Sequence, residues 1–274
     1  MASRKAALDT VKLAFGSDGF ATLTMTRPQV HNALSDGMIA AIRESLAEVR
    51  SQAPRALFIR GEGKSFSAGA DLGWMKRAAT YTKEENIKDA MELSGMLHDL
   101  QTLPLPTVAL VQGAAIGGGV GIVSTCDIAV GVTSAKFALS EVKLGLIPAT
   151  ISPYVVSRIG ASQSRRYFLT AERFDANDAR RIGLLHEVVE TAEDLDEFED
   201  WAKKHFAANA PNAMAASKDI VNLVAHEEIT EDLRLKTAIR LADQRDSQEC
   251  RDGIGAFFEK KTAPFVLDFA KKSA

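Results

Sequence analysis

The stretch Gly61-Glu-Gly-Lys-Ser-Phe-Ser-Ala-Gly-Ala-Asp-Leu72 lies between a strand pattern and a short helical pattern near Trp74. A second stretch, Gln112-Gly-Ala-Ala-Ile-Gly-Gly-Gly-Val-Gly121, also follows a strand pattern and leads into a helix toward Cys126. The first N–H groups of a helix have no partner within the helix, and they lie at the positive end of its dipole. Both stretches therefore offer main-chain N–H groups to an anion, or to an oxygen that becomes negative during a reaction.

Glycines after strands also serve as plain turn or close-packing residues, and this is the alternative for each stretch. Nucleotide-binding motifs can be tested directly. Neither stretch contains G-x-G-x-x-G, and a phosphate loop ending at Gly63-Lys-Ser65 would need a glycine where Phe58 stands. The absence of a G-x-S-x-G nucleophile elbow argues against an α/β-hydrolase.

The first two-thirds of the chain alternates short strand patterns with helical patterns. Strands are predicted at Val11–Phe15, Ala21–Met25, 56–60, Thr107–Val111 and 127–131. Helices are predicted from a cap at Ser35 to about residue 51, and over 83–103. The repeated strand–strand–helix order predicts a layered α/β domain.

From about residue 193 the pattern becomes almost wholly helical. Helices are predicted over 198–207, 212–224, 230–245 and 248–260. We therefore expect a core over residues 1–195 and a helical region over residues 196–274. Apolar residues on these helices predict that the region packs against the core or against another subunit.

Composition excludes several classes of protein. A chain of 274 residues that is 46% hydrophobic can bury a full core, and its net charge of −3 gives no electrostatic case for nucleic acid. No apolar run reaches the roughly 18 residues that cross a bilayer, and the first residues form no signal peptide, so we expect no membrane partner and a cytoplasmic or organelle-matrix location. The five histidines and two cysteines, Cys126 and Cys250, show no metal-binding spacing, so we expect no metal and no disulfide.

Taken together, the segments resemble the crotonase family of enoyl-CoA hydratases and isomerases. The matching segments are Thr26-Arg-Pro-Gln-Val-His-Asn-Ala-Leu34, Phe66-Ser-Ala-Gly-Ala-Asp-Leu72, Gly113-Ala-Ala-Ile-Gly-Gly-Gly119 with Cys126-Asp127, Lys136-Phe-Ala-Leu-Ser-Glu-Val-Lys-Leu-Gly-Leu-Ile-Pro148 and Ala256-Phe-Phe-Glu-Lys-Lys261. The resemblance spans nearly the whole chain. It implies an α/β fold made of a spiral of ββα units, followed by a helical region that builds a homotrimer or a dimer of trimers.

The resemblance also implies roles for individual residues. The N–H groups of Ala70 and Gly118 would form an oxyanion hole for the thioester carbonyl of an acyl-CoA substrate, and Glu141 would be the general acid/base. One such donor is typically worth about 3 kcal/mol. Residues expected to bind substrate or CoA are Arg27, Ala68, Asp71, Leu72, Trp74, Gly117, Gly121, Ser140, Lys260 and Lys261. No cofactor is expected, because coenzyme A is part of the substrate.

The chain departs from the family at one catalytic position. Many hydratases of the family use two glutamates, whereas this chain has Gly121 at the first position and Glu141 at the second. We expect Gly121 to clear volume beside the acyl group and to remove a charge that would repel a substrate carboxylate. We also expect an apolar pocket of Phe137, Leu139, Leu144 and Ile147 to raise the pKa of Glu141.

The amino-acid sequences of four segments are similar to those of the methylglutaconyl-CoA hydratase branch of the family, which includes isohexenylglutaconyl-CoA hydratases. These segments are residues 67–75, 139–148, 151–155 and 166–174. The similarity predicts hydration of a branched glutaconyl-CoA such as 3-methylglutaconyl-CoA, with Glu141 as the only catalytic carboxyl group. Two alternatives stay open: a Δ3,Δ2-enoyl-CoA isomerase with a single base, and a catalytically silent acyl-CoA-binding or RNA-associated scaffold.

Overall fold

The computed structural model describes residues 10–225 and 227–268 of the chain. The first residues, for which we expect no signal peptide, and His226 lie outside this described part. Within it, ten strands form a six-stranded and a four-stranded sheet. The strands are β1 (Val11–Phe15), β2 (Ala21–Met25), β3 (Leu57–Gly61), β4 (Ser65–Ser67), β5 (Thr107–Val111), β6 (Ala114–Ile116), β7 (Ile128–Val132), β8 (Lys136–Ala138), β9 (Phe174–Asp175) and β10 (Glu187–Val189).

From β3 to β8, consecutive strands alternate between the two sheets. The six-stranded sheet has the order β1-β2-β3-β5-β7-β10, in which only β1 and β2 are antiparallel. The four-stranded sheet has the order β4-β6-β8-β9, in which β4, β6 and β8 are parallel. The chain therefore passes from β3 to β4, from β5 to β6 and from β7 to β8, each time crossing to the second sheet before a helix follows. This arrangement confirms the predicted spiral of ββα units.

Ten α-helices lie in the described part of the chain. They are α1 (Asp36–Gln52), α2 (Leu72–Ala78), α3 (Lys83–Gln101), α4 (Gly118–Thr125), α5 (Ser152–Thr170, interrupted at Gly160), α6 (Ala176–Arg181), α7 (Ala192–Ala208), α8 (Pro211–Val224), α9 (Glu231–Arg245) and α10 (Gln248–Glu259). Short 3-10 helices cover Pro28–Val30 and Glu141–Leu144. Most predicted helix ends are correct within two residues, but α7 begins six residues before its predicted start. The hydroxyl of Thr191 accepts from Asp194 N, and the Asp194 carboxylate accepts from Thr191 N, so this capping box starts the helix.

Helix α1 shows how the predicted patterns become packing. The Ser35 hydroxyl accepts a hydrogen bond from Met38 N, as predicted for the cap. Met38, Ile42 and Leu46 are buried in the same hydrophobic core as Leu57–Ile59 and Val108–Val111. Burying each large apolar side chain stabilises the fold by about 1.5–3 kcal/mol.

The predicted division after residue 195 falls inside a helix. Helix α7 runs from Ala192 to Ala208 and packs on the core through Leu195 and Ala202, while Arg60 in β3 pairs with Glu199 at 2.6 Å. Helix α7 thus belongs to both predicted parts, and the division of the chain into a core and a helical region stays a prediction.

The cysteines, possible metal sites and possible membrane spans can be described for residues 10–225 and 227–268. Cys126 is buried, Cys250 is half-buried, and the two form no disulfide. Burial raises the pKa of the Cys126 thiol to about 12, which makes it unreactive. Within residues 10–225 and 227–268, no group of three or more His, Cys, Asp or Glu side chains is placed to hold a metal ion, and no helix is long and apolar enough to cross a bilayer.

Candidate active site

The carboxyl ends of three neighbouring parallel strands meet at one edge of the smaller sheet. Ala70 follows β4, Gly118 follows β6, and Glu141 follows β8. Because β4, β6 and β8 are adjacent and parallel, the segments that leave them lie side by side, where α/β proteins commonly bind ligands. The sequence did not predict these strands, since three residues are too short to show a period of two.

The first turn is held by pairing with the segment that precedes α1. The hydrogen bonds are Ala68 N to His31 O (2.8 Å), Leu34 N to Gly69 O (2.7 Å) and Asp71 N to Leu34 O (2.9 Å). The N–H group of Ala70 lies between these bonded groups and donates to no acceptor in the described part of the chain. It is therefore free to donate to a ligand.

Asn32 fixes this pairing segment, although it is not among the site residues predicted from the sequence. Its backbone is left-handed (φ 53°) and its side chain is buried. The side-chain oxygen accepts from Arg27 N at 2.9 Å, and the amide nitrogen donates to Glu62 O at 2.9 Å and to Ser65 O at 2.8 Å. The Asn in His31-Asn-Ala-Leu34 could have indicated a left-handed residue at this position, since Asn adopts the left-handed conformation more readily than most residues.

The second turn brings a free N–H group next to the carboxyl group of Glu141. Gly117 has φ 50° and ψ −114°, and its N–H donates to Ala138 O at 2.9 Å. Gly118 begins α4, and its N–H finds no acceptor among residues 10–225 and 227–268. A Cβ atom on Gly117 would lie 2.8 Å from Glu141 Oε1, so this close approach requires glycine.

The two turns lie against each other. A Cβ atom built on Gly69, whose φ is 83°, would lie 2.7 Å from Ile116 O and 3.5 Å from Gly118 N. Any side chain there would separate the turns. The glycine therefore lets the free N–H groups of Ala70 and Gly118 serve one cavity.

A cavity of about 320 Å³ joins these groups, near the lower end of the usual range for ligand pockets. Ala70, Gly118 and Glu141 line it. Five further residues expected from the sequence also line it: Ala68, Leu72, Trp74, Gly117 and Ser140. The rest of the lining is mainly apolar and includes Leu34, Met75, Ile116, Leu144, Ile147 and Ile151. The Trp74 indole donates to Asp89 Oδ1 at 2.8 Å, which joins α2 to α3.

Glu141 is a half-buried residue, and one of its two carboxylate oxygens is fully buried. Its Oε2 atom is buried and has no hydrogen-bond partner in the described residues. Burial raises the pKa of Glu141, and its own main-chain N–H opposes this rise only in part. Of the expected apolar surroundings, Leu144 and Ile147 line the cavity, whereas Phe137 and Leu139 are buried in the core behind it.

The expectation that Gly121 clears volume for the acyl group is wrong. Gly121 is buried in α4 and does not line the cavity. A Cβ atom there would lie 2.5 Å from Ile151 Cγ2 and 3.8 Å from Leu97 Cδ1. Ile151 therefore fills the space that a side chain at 121 would need, and the glycine allows packing rather than widening the cavity.

Arg27 and Asp71 do not line the cavity and are bound to each other. Arg27 donates to Ala33 O at 2.9 Å and pairs with Asp71 at 3.1 Å. The Asp71 carboxylate also accepts from the N–H groups of Gly73 and Trp74, which caps α2. Burial alone would raise the pKa of Asp71, but the Trp74 N–H and the Arg27 guanidinium hold it below its usual value. In the isolated chain, these two residues hold the first turn in place.

Lys260 and Lys261 are exposed at the end of α10, and neither lines the cavity. Lys260 caps the helix in a left-handed conformation, and Lys261 pairs with Glu259 at 2.8 Å. Their contact with CoA phosphates stays a prediction.

Two free main-chain N–H groups beside a buried carboxyl group define a class of enzyme. Such enzymes hold a carbonyl oxygen while negative charge develops on it, and a neighbouring carboxyl group moves a proton. The sequence profile described as enoyl-CoA hydratase/isomerase matches residues 16–267, and the chain belongs to that family. It is an acyl-CoA enzyme of the enoyl-CoA hydratase type, a hydro-lyase.

Individual relatives agree with this assignment. The chain is 31% identical over 244 residues to the short-chain-enoyl-CoA hydratase of Clostridium acetobutylicum, covering 88% of this chain and 92% of the relative. A crystal structure of an enoyl-CoA hydratase from Shewanella pealeana is similar with a TM-score of 0.90 and 37% identity, covering 95% and 98% of the two chains. AtuE of Pseudomonas aeruginosa is similar with a TM-score of 0.89 and 35% identity, covering 94% and 99%.

Proposed function

We propose that this protein adds water across the α,β double bond of an acyl-CoA thioester with Glu141 as its only catalytic carboxyl group. One observation carries the proposal: the free N–H groups of Ala70 and Gly118 and the carboxyl group of Glu141 line the same cavity. No other Asp or Glu of the described chain lines it.

In the proposed reaction Glu141 acts twice per turnover, first as a base and then as an acid, while the two N–H groups stabilise the intermediate. The Glu141 carboxylate takes a proton from water while the water oxygen bonds to the β-carbon. The π electrons of the double bond move to the α-carbon and the thioester oxygen, where Ala70 and Gly118 donate hydrogen bonds to the enolate. Glu141 then returns the proton to the α-carbon and is again a carboxylate. The reaction needs no cofactor, because coenzyme A belongs to the substrate and both added groups, the hydrogen atom and the hydroxyl group, come from water.

We propose a branched glutaconyl thioester such as 3-methylglutaconyl-CoA as the substrate. Similarity of residues 67–75 and 139–148 to the methylglutaconyl-CoA hydratase branch supports this proposal, as does the lack of a second carboxylate to repel the acyl group. No Lys or Arg of the described chain lines the cavity, so the distal carboxylate would lie at the rim near the exposed Leu144 and Ile147 and keep its water.

Two matched substrates and one variant test this function. We expect faster hydration of 3-methylglutaconyl-CoA than of 3-methylcrotonyl-CoA, which lacks the distal carboxylate. Glu141→Gln keeps the shape but cannot transfer the proton, so kcat should fall roughly 100-fold or more. Wild-type rates in Glu141→Gln would disprove the catalytic role, whereas faster turnover of 3-methylcrotonyl-CoA would disprove only the choice of acyl group.

The second candidate is a Δ3,Δ2-enoyl-CoA isomerase. A single carboxyl group in the cavity favours it, because one base is sufficient to move a proton between two carbons. Ultraviolet absorbance of the conjugated enoyl thioester separates the two reactions: hydration consumes this absorbance, whereas isomerisation of a 3-enoyl thioester creates it. Binding of CoA esters without either change would instead indicate a silent scaffold.

We also propose a homotrimer or a dimer of trimers built by the C-terminal helices. Exposed large apolar side chains on α9 and α10 support this proposal, among them Leu235, Ile239, Phe257 and Phe258. The cytoplasmic or organelle-matrix location stays a prediction.

A further inference from the structure

We propose that the hydroxyl group of Thr150 holds the attacking water, in the part of the site where a second carboxylate would otherwise act. This inference rests on the proposed hydration. It answers how water is oriented at a site whose only carboxyl group must also serve the α-carbon.

The position of Thr150 follows from the packing of its neighbour. Ile151 Cγ2 lies 2.5 Å from the point where residue 121 would carry a Cβ atom. The side chain at 121 is therefore replaced in space by Ile151, and Thr150 is the residue directly before it. Thr150 and Ile151 both line the cavity, so Thr150 belongs to the part of the wall that lies next to the position of the missing carboxylate.

Few polar side chains are available for this task. Besides the Glu141 carboxyl group, the described lining offers two hydroxyl groups, those of Ser140 and Thr150. The Trp74 indole N–H is already bonded to Asp89. Neither hydroxyl makes a hydrogen bond within residues 10–225 and 227–268. By contrast, the nearby Ser152 hydroxyl donates to Ala149 O at 2.8 Å. The Thr150 hydroxyl is thus the free one at the start of α5.

Ser140 and Thr150 lie on different segments of the chain, and this difference favours Thr150 as the residue that holds the water. Ser140 directly precedes Glu141 and belongs to the same segment as the carboxyl group. Thr150 comes from a different segment, after Pro148, so a water molecule can lie between its hydroxyl and the Glu141 carboxylate. Both residues line one cavity of about 320 Å³.

The chemistry requires orientation but no second base. The water donates one O–H to the Glu141 carboxylate and the other to the Thr150 oxygen, which leaves a lone pair directed at the β-carbon. The Thr150 hydroxyl neither gains nor loses a proton. It is therefore a positioning residue, and Glu141 still carries out both proton transfers.

Two assays on the same proteins separate positioning of water from proton transfer. Hydration of the best enoyl-CoA substrate needs both the water and Glu141. Exchange of the α-protons of butyryl-CoA in D2O, followed by NMR, needs Glu141 and the oxyanion hole alone. Thr150→Val removes the hydroxyl at nearly constant shape, and Thr150→Ser returns it.

We expect Thr150→Val to lower kcat for hydration about tenfold or more, the effect of losing one hydrogen bond, with the exchange rate within about twofold of wild type. Thr150→Ser should recover most of the hydration rate. Equal losses in both assays, or no loss in either, would overturn the inference, and so would a selective loss of hydration in Ser140→Ala but not in Thr150→Val. A wild-type protein that exchanges α-protons but hydrates no enoyl-CoA would reject the proposed function itself.

Discussion

Glu141 is the residue at which activity and stability oppose each other. Its carboxyl group is buried with one oxygen unpaired, and burial raises its pKa. Above the ordinary Glu pKa of about 4.3, the unfolded chain has released this proton while the folded chain still holds it. The native state then binds more protons than the unfolded state, so this residue makes stability fall as pH rises toward the raised pKa.

A stability measurement can check this opposition. We expect Glu141→Gln to melt at a higher temperature than wild type near pH 7, with the difference shrinking as pH falls toward 4. Glu197→Gln, an exposed change on α7, serves as the control and should show no such trend. An unchanged or lowered melting temperature of Glu141→Gln at pH 7 would contradict the account.

The same raised pKa governs the rate. Because the proposed first step needs the carboxylate form of Glu141, kcat/KM should fall as pH falls through the raised pKa. The midpoint of this acid limb should lie above about 4.3, the ordinary value for Glu. A pH–rate profile measured from pH 4 to 8 tests this expectation. A midpoint at or below the ordinary value would show that burial does not control the group.

Gly121 is a packing residue whose cost of substitution depends on Ile151. Gly121→Ala places a Cβ atom 2.5 Å from Ile151 Cγ2, so we expect a loss of about 1–3 kcal/mol in the free energy of unfolding. Ile151→Ala should also destabilise by leaving a cavity. The double variant should lose clearly less than the sum of the two, measured by urea unfolding. Gly37→Ala, which meets nothing closer than 4.0 Å, is the control, and additive losses would disprove the coupling.

At the scale of elements, the oxyanion turn depends on the segment that enters α1. Asn32 makes three side-chain hydrogen bonds to the backbone of residues 27, 62 and 65. Asn32→Ala removes all three hydrogen bonds and leaves Ser65 O with the Gln112 side chain as its remaining side-chain donor, so we expect a loss of about 1–3 kcal/mol in stability and a fall in kcat as Ala70 moves. Thermal melts and turnover of an enoyl-CoA measure both effects.

Asn86→Ala is the matched control for Asn32. The Asn86 side chain is exposed and donates only to Tyr81 O at 3.3 Å. We expect little change in either stability or kcat. Equal effects from the two Asn variants would show that the pairing segment does not position the turn.

Elements differed in how far the sequence could predict them. The long buried strands and most helices were found from hydrophobic period and caps, and both glycine-rich turns were placed correctly before α2 and α4. The short strands β4, β6 and β8 were missed, although they bring Ala70, Gly118 and Glu141 together. Gly121 was misjudged, and the pairing of Arg27 was not foreseen, because their surroundings depend on residues distant in sequence, Ile151 and Asp71, which composition and spacing do not reveal.

At the scale of the whole molecule, the C-terminal part is joined to the core on one side and open on the other. Lys218 in α8 pairs with Asp127 at 2.8 Å, and Leu267 N donates to Ala207 O at 2.9 Å. Arg55 donates to Phe265 O at 2.7 Å. These contacts fix α8 and the segment 265–267 on the core, while apolar side chains of α9 and α10 remain exposed in a single chain.

Exposed Phe257 and Phe258 at the end of α10 predict the assembly. Both side chains are 78% exposed, which is unfavourable in water unless another subunit covers them. We expect a mass of three or six times 29.5 kDa by analytical ultracentrifugation. Phe257→Ser with Phe258→Ser should shift the protein to monomers, because the buried area of these rings contributes much of the association energy. Leu169→Ser changes a similarly exposed residue on α5 and should leave the mass unchanged. A monomeric wild type, or dissociation by the Leu169 change alone, would place the subunit interface elsewhere or remove it.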